Sequence, residues 1–168
     1  MLPEALVRAR ALLEDVTPLK TDCGLTCNGL CCRPLEGEMS GMLLFPGEEK
    51  YYEGREGYRM VETENGKLLI CAGRCERTDR PLSCRVMPLL PIIREDGVKV
   101  ATDFRAKNVC PLAKQGKDAL DPDFVAAVRQ VGRILAEDEV QRAFLVKLTQ
   151  QQDELKVLRN QFRRGSHV

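Results

Sequence analysis

Apolar positions recur at helical spacing near the start of the chain. Leu6, Ala9, Leu12, Leu13 and Val16 share one face, Pro3 suits a first turn and Pro18 stops the run, so residues 3–16 are predicted to form a core-packing helix. Its other face mixes Glu4, Arg8, Arg10 and Glu14, which reads as a solvated surface and not as a basic membrane-binding stripe. Residues 42–45 read as a short buried strand, and Pro46-Gly47-Glu48-Glu49 as a turn opening a brief helix. Two hairpins follow. Residues 58–63 and 67–71 flank Asn65-Gly66, and Ile92-Ile93 and Val98-Lys99-Val100 flank Asp96-Gly97.

From Asp121 the pattern becomes helical again. Asp121-Pro122 is a helix start, and Phe124, Val128, Val131 and Leu135 form a stripe that turns polar at Glu137-Asp138-Glu139. Val140, Phe144, Leu148, Leu155, Leu158 and Phe162 continue the spacing, so residues 121–163 are predicted to make two or three helices. Asp138, Gln141 and Gln152 interrupt the heptads, which favours packing on the rest of the chain over a coiled coil. The expected fold is α+β: a small irregular cysteine-rich core over about residues 17–118, with short β-hairpins, packed against N-terminal and C-terminal helices in one domain of 168 residues.

Charge removes some functions. Lys and Arg number 26 against 25 Asp and Glu, so there is no basic footprint and no nucleic-acid partner is expected. No segment has the length and apolarity of a membrane span, and the first residues lack the basic and apolar regions of a secretory signal, so a cytoplasmic protein without a membrane partner is expected. The formal charge of +1 counts the cysteines as neutral; subtracting eight thiolate charges leaves −7. Apparent balance thus hides a demand for cations.

Eight cysteines carry the candidate chemistry: Cys23, Cys27, Cys31, Cys32, Cys71, Cys75, Cys84 and Cys110. The first four lie in CGLTCNGLCC; the second group opens with C-x3-C at Cys71 and Cys75. In a reducing compartment such clustering points to metal ligands or redox groups, not disulfides. Short loops between cysteines let sulfurs converge while the intervening amides turn toward them, and Gly24, Gly29 and Gly73 sit inside those loops. Successive side chains diverge, so Cys31 and Cys32 are expected to serve different sites, or one of them to stand outside direct ligation. Eight sulfurs allow two four-cysteine sites, one drawn mainly from each group.

Thiolate donors exclude calcium and magnesium and point to zinc, iron or an iron–sulfur cluster. The sole histidine, His167, sits beside the C-terminus, which disfavours mixed cysteine-histidine sites and a histidine-based triad. No phosphate-cradling glycine loop is present. Three classes remain open: a metal-binding or trafficking module, an iron–sulfur redox protein or enzyme, and a structural zinc protein acting as an interaction module. A protein partner would meet the C-terminal helices, where no cysteine lies.

CGLTCNGLCC followed by CAGRCERTDRPLSCRVMPLLP resembles the bacterial YkgJ-like cysteine-cluster family, described as a zinc- or iron-chelating domain. The likeness rests on the paired cysteines of the first cluster, the second C-x-n-C, and Arg80, Pro81, Cys84, Arg85 and Pro88, and spans residues 23–111. It implies that the eight cysteines chelate zinc or an iron–sulfur cluster. Through the larger flagellin lysine methylases of that family, it also implies a methylase-like iron–sulfur enzyme as an alternative.

Arg74, Arg77, Arg80 and Arg85 interleave with the second group. Their guanidinium groups would pair with Glu76, Asp79 or backbone carbonyls. Alternatively, Arg80 or Arg85 would bind the cofactor by donating to thiolate or sulfide, or would hold an anionic substrate beside the metal.

Overall fold

The computed structural model describes residues 1–168 except 33–40, 72, 74–75 and 166–168. In chain order the regular elements are α1 (Glu4–Ala11), α2 (Gly24–Cys27), β1 (Met42–Leu43), α3 (Glu49–Tyr52), β2 (Tyr58–Thr63), β3 (Gly66–Cys71), α4 (Leu82–Val86), β4 (Leu89–Arg94), β5 (Gly97–Thr102), α5 (Pro111–Gln115), α6 (Pro122–Glu137) and α7 (Glu139–Gly165). The architecture is mixed helix and antiparallel sheet, as the pattern predicts. β1, β3 and β2 form one sheet in that order, with Met42 opposite Leu69 and Tyr58 opposite Cys71. β4 and β5 form a separate hairpin that pairs Leu89 with Thr102 and Arg94 with Gly97.

The main core gathers around α6. Asp121 caps it by accepting from the Asp123 amide at 2.9 Å, with Pro122 at the first turn. Phe124, Val128, Val131 and Leu135 are fully buried on its inner face, which packs on α1, on both strands of the β4–β5 hairpin and on α7. Gly132 permits this approach: an added Cβ would stand 2.6 Å from Val98 Cγ1 and 2.7 Å from Pro91 Cβ. Gly132→Ala is therefore expected to destabilise the fold by about 1–3 kcal/mol despite alanine's better helix propensity. Urea unfolding checks this; a more stable variant would show that the hairpin yields freely.

Asp138 divides the C-terminal region into two helices. Its side chain accepts from the Gln141 amide at 3.0 Å and its carbonyl from Arg142 at 2.8 Å, starting α7 immediately after α6. The glutamines that interrupt the heptads are buried and anchor α7. Gln141 donates to the Pro46 carbonyl at 2.7 Å. Gln152 accepts from the Phe104 amide at 2.9 Å and donates to the Thr102 carbonyl at 2.6 Å.

α1 departs from the expected pattern. It stops at Ala11, so Leu13 is buried while Leu12 stays partly exposed. Arg10, expected on the solvated face, is buried instead. It donates to Glu48 Oε1 and to the Thr78 carbonyl, each at 3.0 Å. A carboxylate from a distant turn supplies the charge partner that local periodicity cannot show.

Candidate metal centre

Cys23, Cys27, Cys31 and Cys32 are arranged by two short turns. Asp22 starts α2 by accepting from the Gly24 amide at 3.0 Å through its side chain and from Leu25 through its carbonyl. Asn28 then adopts the left-handed conformation at φ 52° and Gly29 follows at φ 64°. Two consecutive residues in that region reverse the chain, and a 3-10 turn at Leu30–Cys32 carries the last two cysteines back toward Cys27.

The remaining described cysteines arrive from three other places. Cys71 ends β3, opposite Tyr58. Cys84 lies within α4, its amide bonded to the Pro81 carbonyl at 3.0 Å. Cys110 precedes α5, with its amide on the Ala106 carbonyl at 2.7 Å. All seven carry thiols, and all seven line a single cavity of about 480 Å³. Asp22, Met42, Arg80, Met87 and Leu112 complete parts of its wall. Cys75 lies outside the described residues, as do Arg74 and His167.

Both cysteine groups thus border one cavity. Cys31 and Cys32 also face the same cavity and share a hydrogen bond. In a 3-10 turn, successive side chains are about 120° apart and not opposed, as they would be on a strand. Adjacency therefore does not turn either of them away from the cavity.

The thiols perturb one another. Burial pushes the Cys23 thiol up, with Asp22, Cys110 and Cys27 adding to the effect and Arg80 opposing it. The hydrogen bond with Cys32 pushes Cys31 up, reinforced by burial and by Cys32, Cys84 and Cys27. Loss of one proton therefore discourages loss of the next, and several thiolates need a cation among them. Among the described residues, no three Cys, His, Asp or Glu side chains stand close enough to hold one ion as placed. The sulfurs ring a space instead of meeting at a point. That space is many times the ~30 Å³ share of a water molecule in the liquid.

Of the arginines, only Arg80 among those described lines this cavity. Arg85 is buried and engaged elsewhere: it donates to the carbonyls of Arg10, Arg77, Thr78 and Arg80, and to Glu14 at 3.0 Å. Of the readings the sequence allows, Arg85 follows the pairing with backbone carbonyls, because the last turn of α1 and the segment before α4 expose carbonyls that one planar guanidinium can satisfy together. Arg77 acts similarly on the carbonyls of Leu13, Glu14 and Val16. Lysine lacks this planar fork of donors, so Arg85→Lys is expected to cost about 2–4 kcal/mol of stability. Metal bound per folded molecule should remain unchanged; metal loss at unaltered stability would return Arg85 to the centre.

Asp22 escaped the sequence reading as part of the site. Its position immediately before Cys23, at the start of a turn, was the available signal.

No family model matches this chain, and no curated protein or solved structure matches it. Among the described residues, no helix is long and apolar enough to cross a membrane.

Proposed function

We propose that this chain is a metal–thiolate protein whose cavity holds a polynuclear centre, an iron–sulfur cluster in the first instance. One observation carries the reading: seven cysteines from distant parts of the chain line the same cavity. A single tetrahedral ion uses four thiolates and would leave three of the seven as thiols without a ligand role. A cluster, or a pair of ions, uses more of the set and fills more of the space.

Cys23, Cys27, Cys31, Cys32, Cys71, Cys84 and Cys110 are the ligand candidates, and Cys75 joins them from the sequence. Arg80 offsets negative charge at the cavity wall. When bound, an iron–sulfur group supplies electron transfer or a Lewis-acidic iron. The chain's own contribution is to gather the sulfurs, hold their protons until metal arrives, and wall the space with apolar side chains. The reading agrees with the YkgJ-like resemblance and with a reducing, cytoplasmic setting, where such thiols persist.

Anaerobic purification followed by metal and acid-labile sulfide analysis tests it. Iron and sulfide in stoichiometric amounts are expected. Tightly held zinc without sulfide would move the reading to the structural interaction module, and a protein that purifies anaerobically with no bound metal would end it.

A further inference from the structure

The last turns of α7 carry an unbalanced charge. From Leu155 to the C-terminus the sequence holds Lys156, Arg159, Arg163 and Arg164 and no Asp or Glu, in a chain otherwise balanced between acids and bases. Lys156, Arg159 and Arg163 follow helical spacing along one side of α7. The short turn at Arg105–Asn108 brings Lys107 to the same place. Lys107 Nζ stands 4.9 Å from the centre of the Phe104 ring and Arg159 Cζ stands 5.2 Å from it. Burial, then Arg159, Lys156 and Arg163, push the Lys107 ammonium down, the mark of like charges crowded together. Among the described residues, none of Lys107, Lys156, Arg159 and Arg163 forms an ion pair, whereas Arg94 and Arg105 nearby are both paired, with Asp153 and Asp103. The same turns of α7 expose Val157, Leu158 and Phe162, each at least half accessible.

We infer that this corner, built from the end of α7 and the Phe104–Lys107 turn, docks an acidic segment of a partner protein. Carboxylates would meet Lys107, Lys156, Arg159 and Arg163, while apolar side chains of the segment cover Leu158 and Phe162. Charge complementarity selects the occupant. A nucleic acid would want a bare aromatic face for stacking, but Phe104 already carries two cations of the chain itself. A membrane-lying helix would spread its cations along its flanks, whereas here a second chain segment adds Lys107 to the cluster. The corner adjoins the centre in sequence: Lys107 lies three residues before Cys110, which lines the sulfur cavity. A docked partner would therefore sit close to the proposed centre, a consequence that rests on that centre; the docking itself does not.

The test uses the full, metal-loaded chain and a fluorescent peptide of alternating Glu and Leu, with a Gln-for-Glu version as its neutral counterpart. The acidic peptide should bind and the neutral one should not, and binding should weaken as salt rises from about 50 to 500 mM. Arg159→Glu with Arg163→Glu should weaken binding by at least about tenfold. Arg59→Glu with Arg133→Glu, an equal charge change at exposed residues of β2 and α6, should leave it within about twofold. Equal losses in both double variants, equal binding of the neutral peptide, or tighter binding of a single-stranded RNA oligonucleotide or of anionic phosphatidylglycerol vesicles would each overturn the proposal. Metal and sulfide content, measured on the same samples, reports separately on the centre, so the two readings can fail independently.

Discussion

Serine in place of Cys84 is expected to remove at least half of the bound metal and to lower the unfolding temperature of the loaded protein toward that of the stripped one. Cys84 reaches the cavity from α4, and its sulfur acts electrostatically on Cys31 of the first cluster, so it links two distant parts of the chain around one space. Oxygen for sulfur is nearly isosteric, and in the metal-free protein the exchange of a half-buried thiol should cost only about 1 kcal/mol. Bound metal stabilises the folded form by about 2.7 kcal/mol at a concentration one hundred times its dissociation constant, and by more when it binds more tightly. The diagnostic quantity is therefore a difference of differences: wild type and Cys84→Ser unfolded by heat, each with and without a strong chelator, alongside metal analysis. A large gap between the loaded proteins that closes after chelation identifies a ligand. An equal gap in both states, with metal retained in full, would make Cys84 a packing residue and remove it from the centre.

That experiment addresses the part of the site that the sequence reveals least directly. Spacing marks the cysteines as a set because short inter-cysteine loops are local features, and the hairpins at residues 58–71 and 89–102 are similarly local. The grouping of sulfurs is not local. Cys71, Cys84 and Cys110 join Cys23–Cys32 only because β3, α4 and the turn before α5 end around one cavity. Arg85 shows the same limit from the other side. Its place beside Cys84 in the sequence suggests a cofactor contact, but α4 is helical, and one residue along a helix turns the side chain by about 100°, away from the cavity and onto carbonyls in the last turn of α1 and in the segment before α4. Gln141 and Gln152 read as breaks in a hydrophobic pattern; they are buried because strand ends and turns leave backbone groups that apolar side chains could not satisfy. Where function depends on long-range carbonyl and carboxylate partners, periodicity has nothing to report.

Glu48 is the strongest instance, and its replacement by alanine is expected to be the most damaging change outside the cysteines. The residue is fully buried. Its Oε1 accepts from Arg10 at 3.0 Å and from the Leu82 amide at 2.8 Å, and its Oε2 accepts from the Phe45 amide at 3.1 Å. One carboxylate thereby joins α1, the turn after β1, and the first residue of α4, the helix that carries Cys84. Glu48→Ala leaves a buried guanidinium without its counter-ion and two buried amides without acceptors, at a cost of about 3–5 kcal/mol. For a chain of this size that amounts to a fall of roughly 6–20 °C in unfolding temperature. Arg10 retains the Thr78 carbonyl and the face of Tyr51, 5.3 Å from the ring centre, so part of its burial remains compensated. Arg10→Met removes the cation beside the buried Glu48 carboxylate but leaves it the Leu82 and Phe45 amides, and should likewise cost about as much as Glu48→Ala. The double variant should cost clearly less than the two combined, since each single change already strands the other partner. Urea unfolding of all four proteins in the metal-stripped state measures this coupling without interference from the centre. A Glu48→Ala protein within about 1 kcal/mol of wild type, or strict additivity in the cycle, would show that the amides and the guanidinium find other partners and that Glu48 does not hold α4 in place.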